Sequence, residues 1–366
     1  MYKESKKQIR QRFILPVLLL WLVACTSSQD KLQQGHPASY YYLQGLKHIN
    51  NTQNQRAEND FKRALELDPE YAPAHEGLGR ILLEEGRLHE AALHIDRALE
   101  LDKAWMPALM LKGRLYLLRG DYNISIAVLK DIIKRVKDLE ALEDKKKLTA
   151  SALYWIGVAH FEQQGWQKAE NIFSELLRIN PDDEHAKKML REASYYAQLI
   201  QGKSERVKQM VLQKTIKRGE LALLIYEILV PTLGMANDSS GVVAKDIAPG
   251  EPLYNVLKEL STLGLMLPYP DSTFKPQTIA ERGDLVLVLG RVLDRTEPHT
   301  IDTNRVDFLD VPHIFPFYSY VNRIVTLNIM SSVDEQHFVP RRPLSGLEAL
   351  EAIEKTKAIL KSARDE

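Results

Sequence analysis

The sequence predicts an all-α protein, a helical solenoid followed by a second helical domain of threefold internal repetition. Three observations carry this. A period of 34 residues runs through the first half, and a period of 64 runs through the second. Near the N-terminus an apolar run ends at the only cysteine of the 366-residue chain.

Residues 1–24 read as a signal peptide. Lys3, Lys6, Lys7, Arg10 and Arg12 form a basic start, and an apolar run of eleven residues follows, Phe13 to Val23. That is too short to span a bilayer as a helix, which needs roughly 20 residues. It suits the apolar core of a secretory signal. The run closes with Leu22-Val23-Ala24-Cys25, which resembles the lipobox of bacterial lipoprotein precursors. The resemblance implies cleavage before Cys25 and acylation of its thiol and new amino group. Each buried CH₂ is worth roughly 0.8 kcal/mol, and more than one acyl chain makes the anchor durable. Thr26 follows the cysteine, where aspartate retains enterobacterial lipoproteins in the inner membrane. By that resemblance the expected place is the outer membrane, facing the periplasm. Residues 25–37 are then a linker behind the lipidated Cys25. Removing 1–24 takes away five basic side chains and one acidic, leaving 44 against 48. A mildly acidic mature chain carries no charge signature of nucleic-acid binding. Its length allows about two domains.

The 34-residue period covers 38–183. Gly45, Gly79 and Gly113 keep the step, as do Ala57, Ala91 and Ser125, and Phe61, Ile95 and Leu129. Ala64, Ala98 and Ile132 follow it too, and Gly157, Ala169, Phe173, Leu176 and Pro181 supply a fourth unit after ten inserted residues. The insertion falls in the charged stretch 134–147, expected as an exposed helical extension. Such a period gives two helices per unit, with small residues at the close approach and large ones in the seam. In LHEAALHIDRALELD, Leu88, Ala91, Ile95, Ala98 and Leu99 recur at three and four, one helix face. Pro69 and Pro181 stop second helices, whereas the second unit has Lys103 at that place. The pattern resembles the tetratricopeptide repeat. That family binds peptides or protein partners on a concave surface made mainly of first helices. By position, the resemblance nominates Tyr42, Arg80, Arg114 and Tyr154 for the partner groove, where each would otherwise be an ordinary solvated residue. Residues 184–213 read as one long closing and bridging helix, capped by Asp182-Asp183, with Met189, Ala193, Tyr196 and Ile200 on one face.

The 64-residue period covers 214–366. Asp246 and Asp310 keep the step, as do Pro252 and Pro316, Tyr254 and Tyr318, Leu265 and Ile329, Phe274 and Phe338, and Pro276 and Pro340. Upstream by the same step, Arg218 matches Arg282, Gly219 matches Gly283 and Glu220 matches Asp284. In YPDSTFKPQTIAERGD, 269–284, Asp271-Ser272-Thr273 form a turn and a helix is expected to open near Thr278. DIAP, LSTLGLMLPYPDSTFKPQTIAERGDLVLVL, KRGELALLI, FLDVP and HFVPRRPLSGLEAL resemble the S-layer homology domain. That family packs three such units as a pseudo-threefold helical domain. The arginine at its helix start contacts anionic cell-wall polysaccharide. Carried over by position, this nominates Arg218 and Arg282 for polysaccharide, with Glu220 and Asp284 two residues on. Those acids suit the first helical turn, either holding the arginine or accepting from exposed N–H groups. The alternative for both arginines is an ion pair with a neighbouring helix. The third copy has Gly346 in the arginine's place, and the first lacks a recognisable Asp-Val half before Thr215, unless the long helix before it takes that place.

No HExxH, GxSxG, Walker A, GxGxxG or CxxC motif occurs. The one cysteine is taken by the lipid, and His89 and His94 are five apart, off the step of a helical metal pair. The expectation is therefore no enzyme, no metal and no cofactor beyond the covalent lipid on Cys25. The sequence reads as a non-catalytic cell-envelope adaptor. Its solenoid takes a protein partner, its C-terminal domain contacts peptidoglycan or an associated polysaccharide, and its lipid meets the membrane. A second reading is an outer-membrane, secretion or pilus assembly factor acting only through protein contacts. A third is an envelope enzyme acting on polysaccharide.

Overall fold

The computed structural model describes residues 37–137, 141–233, 241–295, 307–315 and 317–365. Cys25 and the signal peptide lie outside the described residues, as do Pro316 and the linker up to 36. The described residues are helical with no strand among them, and the chain divides into two compact units at Leu199–Ile200.

The first unit is a stack of helical hairpins. They are α1 (Pro37–Asn50) with α2 (Asn54–Leu67), α3 (Ala72–Glu84) with α4 (Leu88–Leu101), α5 (Met106–Arg119) with α6 (Tyr122–Val136), and α7 (Leu142–Glu162) with α8 (Trp166–Ile179). First helices of successive hairpins lie side by side, α1 on α3, α3 on α5 and α5 on α7. The 34-residue glycines explain how tightly each hairpin closes. A Cβ on Gly45 would stand 2.4 Å from the Phe61 ring, on Gly79 2.8 Å from Ile95, on Gly113 2.6 Å from Leu129 and on Gly157 2.6 Å from Phe173. Each large partner is fully buried. Burying such side chains stabilises by roughly 1.5–3 kcal/mol each. Gly157→Ala is therefore expected to cost about 1–3 kcal/mol by overpacking, read as a lower urea midpoint. Where the third unit has Ser125 in the alanine position, its buried Oγ donates to the Gly113 carbonyl at 2.8 Å.

Aspartate does as much as proline to end the second helices. Asp68 and Asp102, one period apart, accept from Glu70 N at 3.0 Å and Ala104 N at 2.9 Å. This is why Lys103 is harmless where proline was expected. The insertion lengthens the start of α7, whose Glu143 and Asp144 suit a helix N-terminus. α9 (Glu184–Ile200) closes the stack, with Ala186, Met189 and Ala193 joining the core of Phe173 and Leu176. Its start is capped by Asp183, which accepts from Ala186 N at 2.9 Å. The single long helix expected over 184–213 is not formed. The chain stops at Ile200, turns through Gly202 at φ 72°, and restarts behind Ser204, whose Oγ accepts from Val207 N at 3.2 Å.

The second unit has three helices that open at the repeated helix start, α11 (Arg218–Ile228), α14 (Arg282–Leu293) and α16 (Gly346–Asp365). It has three partner helices, α10 (Glu205–Val211), α13 (Pro252–Thr262) and α15 (Tyr318–Thr326), and a single turn α12 (Val230–Leu233). The packing is cyclic. α13 lies on α11, α15 on α14 and α10 on α16. α10 thus supplies the short helix that the first copy lacks in sequence. At the centre the backbone closes a ring. Ile216 N donates to Leu344 O at 2.9 Å, Leu344 N to Ala280 O at 2.8 Å, and Ala280 N to Ile216 O at 2.9 Å. The three residues stand 64 apart. This ring corrects the helix expected from Thr278. After a turn at Lys275–Thr278, residues 279–281 run into it with bridges at Ile279 and Glu281, and α14 opens only at Arg282 behind the N-cap Glu281.

The repeated aspartates hold the turns. Asp246 accepts from Phe274 N at 2.7 Å and Lys275 N at 2.8 Å, and Asp310 from Phe338 N at 3.0 Å and Val339 N at 2.6 Å. Lys275 and Val339 both sit at φ 57°, a left-handed conformation costly for valine. Asp246→Ala is expected to lose about 2 kcal/mol, from two orphaned backbone donors, measured by urea denaturation against wild type.

Candidate functional site

The first nominated row runs along the first helices of the solenoid. Tyr42, Glu76, Met110 and Tyr154 occupy equivalent places in their units, and Leu46, Arg80, Arg114 and Val158 lie one turn on. Tyr42 and Tyr154 are not open groove residues. Tyr42 packs on Phe61 and Tyr71, and Tyr154 on Trp155 and Phe173. Burial pushes the Tyr154 phenol up, with Asp183 and Glu192 adding to it. Arg80 is buried too. Its Nε donates at 3.1 Å to Glu76, whose side chain is fully enclosed. Burial works against the Arg80 charge, but Glu76 leads the anionic neighbours that leave its pKa raised. The second oxygen of Glu76 has no hydrogen-bond partner among the described residues.

Arg114 differs. It is half-buried, with its guanidinium carbon 4.9 Å from the Trp155 ring centroid. Burial lowers its pKa, partly opposed by Glu84. Burial likewise raises the Glu84 pKa, with Arg114 and Arg80 opposing. Sequence reading missed Glu76, Glu84 and Trp155. One signal was available for Glu76, which stands one period from Tyr42.

Beside this row, His75 on α3 and His94 on α4 meet with Nδ1···Nδ1 at 3.0 Å, and His75 Nε2 lies 3.2 Å from Pro69 O. The sequence reading matched His94 with His89 instead. Burial lowers both pKa values, helped by Arg97 at His75 and by His75 and Lys62 at His94, with Glu90 opposing at His94. A histidine depressed in the fold takes up its proton more readily when unfolded. Stability present at neutral pH is therefore lost as pH falls through the unfolded value of about 6.5. Unfolding free energy should drop between pH 7.5 and 5, and a His75→Gln/His94→Gln variant should flatten that slope. Among the described residues, no group of three or more His, Cys, Asp or Glu is placed to hold a metal ion.

The second nominated set lies around the ring of the C-terminal unit. Arg218 is 8% exposed and Arg282 1%. Arg218 pairs with Asp284 of the next copy and lies 4.5 Å from the Tyr269 ring and 4.9 Å from Phe274. Arg282 pairs with Glu348 of the following copy at 3.1 Å, donates to Ser331 O at 2.6 Å and stacks 4.3 Å from Phe338. Burial brings its pKa down to about 10, with Glu348 opposing, so the charge persists at neutral pH. Glu220 and Asp284 close their own helix starts, accepting from Lys217 N at 2.7 Å and Glu281 N at 2.9 Å. Both roles foreseen for the acids are thus filled by Asp284. The arginines point into the fold and staple one copy to the next, rather than lining an open cleft. Among the described residues, the buried Nε atom of each lacks a hydrogen-bond partner.

The third vertex is closed. Gly346 stands where arginine would, and a Cβ there would lie 1.9 Å from Met210 O. Gly346 N donates to Gln213 O at 3.1 Å, and Gln213 Nε2 donates to Glu220 at 2.9 Å in place of the missing guanidinium.

With this geometry in place, comparison with known families is direct. The tetratricopeptide repeat model matches 42–105 and 110–184, and the S-layer homology domain model matches 245–286. The chain carries tetratricopeptide repeats and an S-layer homology domain. The first suggests protein–protein interaction, and the second suggests association with the cell wall and envelope. A solved structure from a study of the functional characterization of Pseudomonas aeruginosa pilF is 19% identical, covering 51% of this chain and 83% of that one, at a TM-score of 0.37. No curated protein matches the sequence.

Proposed function

We propose that a chain with this pair of repeat domains is a non-catalytic adaptor of the cell envelope, tethered through acylated Cys25 at the periplasmic face of the outer membrane. Its solenoid holds a protein partner along the first helices. The observation that supports this most directly is Arg114, presented on an aromatic floor in a row where the equivalent arginine is already paired. A photocrosslinking residue at Glu84, half-buried near Arg114, should give one discrete adduct in cells. The same residue at Leu93 of α4, 62% exposed, should not. Equal labelling from both positions, or none from Glu84, would count against the solenoid as the partner surface.

A second reading gives the C-terminal unit a wall polymer to hold, and the family match over 245–286 favours it. Arg218 and Arg282 are engaged in ion pairs, so such binding would use another surface of the unit. Co-sedimentation of the full chain with purified sacculi tests it. Pelleting that depends on the attached polymers supports wall binding, and a chain that stays in the supernatant leaves the protein-contact reading alone.

A further inference from the structure

The two arginines of the first-helix row occupy the same place, one 34-residue step apart, yet their surroundings differ. One helical turn before Arg80 stands Glu76, and the pair closes on itself at 2.5 Å inside the fold. One turn before Arg114 stands Met110, which is buried and apolar. No carboxylate of the described residues lies within ion-pair distance of Arg114. Its guanidinium carbon lies over the Trp155 ring, 4.9 Å from the centroid, and the edge of the fork carries its N–H donors. Stacking on an aromatic ring holds the fork in one orientation, and that is the geometry in which arginine takes a carboxylate by two parallel hydrogen bonds.

We propose that Arg114, set against Trp155, is the specificity residue of the solenoid, and that the partner segment it selects is acidic, placing a carboxylate on this guanidinium. This rests on the adaptor reading above and adds the partner's chemistry to it. Burial with too little compensating negative charge, seen in the lowered Arg114 pKa, fits a site completed by a partner's anion. Glu84 does not complete it, since it lies beyond ion-pair distance. The cost of leaving the cation uncompensated is what a carboxylate would relieve.

The test uses the full chain and three fluorescein-labelled decapeptides with amidated ends, alternating alanine with glutamate, glutamine or lysine. Fluorescence anisotropy should show the glutamate peptide bound about tenfold or more tightly than the glutamine peptide, the scale of one charge-assisted hydrogen-bond pair. Arg114→Gln should erase that preference, while Arg87→Gln, at an exposed arginine elsewhere, should keep it. A second variant guards against misfolding. Met110→Glu copies the Glu76–Arg80 arrangement into the next unit, leaves Arg114 in place, and should also erase the preference. Circular dichroism confirms the fold of each. Equal binding of glutamate and glutamine peptides would overturn the acidic selection while leaving a peptide-binding groove. A preference that survives both variants would move the selection elsewhere. Binding of none of the peptides would also overturn it, and the adaptor reading would then stand or fall on the crosslinking at Glu84.

Discussion

Arg282→Ala is expected to lower the unfolding free energy by about 3–5 kcal/mol, the range for removing one partner of a buried ion pair. The side chain is almost fully enclosed, so its loss leaves a cavity under Phe338 and removes a donor from the Ser331 carbonyl. Glu348 would not be wholly stranded, because Arg342 also donates to both its oxygens at 2.8 Å. Arg282→Met should therefore recover part of the loss by filling the cavity. Arg218→Ala should cost less, since Asp284 keeps its bond to Glu281 N. Urea denaturation of the three variants decides the order. A near-neutral Arg282→Ala would mean that the arginine does not staple the two copies.

Gly346→Ala is expected to be nearly as damaging, at about 3 kcal/mol, the upper end of overpacking losses. The neighbours of the added Cβ are backbone, Met210 O at 1.9 Å and Val211 Cα at 2.7 Å, and backbone does not rotate away. Relief requires α10 to leave its seat on α16. The signature would be a lower urea midpoint together with faster amide exchange over 205–213. Restoring the family's residue with Gly346→Arg should be worse still, although it makes the three copies more alike. A tolerated Gly346→Arg would show that the third vertex opens readily.

Both arrays were legible because each repeat pins a contact. The 34-residue step pairs every glycine with the large residue sixteen places on, and the 64-residue step sets Ile216, Ala280 and Leu344 around one ring. The short helix of the first copy was hidden because α10 shares no motif with α13 and α15, only its packing place. The break after Ile200 was readable from Gly202 and Ser204, but the apolar spacing of Met189 to Ile200 outweighed them. At the sites, position along the repeat told which residues were equivalent and not which way each charge was compensated. Arg80 and Arg114 look alike in sequence until Glu76 and Met110 are compared. For Arg218 and Arg282 the sequence left a ligand contact and an ion pair with a neighbouring helix both open, because the acidic partners come from the next copy, more than sixty residues away.

The ring of backbone bonds also sets when the C-terminal domain can form during synthesis. Its three bonds join residues 216, 280 and 344, which are 128 residues apart from first to last. A nascent chain that has released the first two copies still lacks the acceptor for Ile216 N and the seat for α10. The ring cannot close until residue 344 has emerged, so the first two copies alone cannot complete the domain. Contacts of such long sequence separation also close slowly.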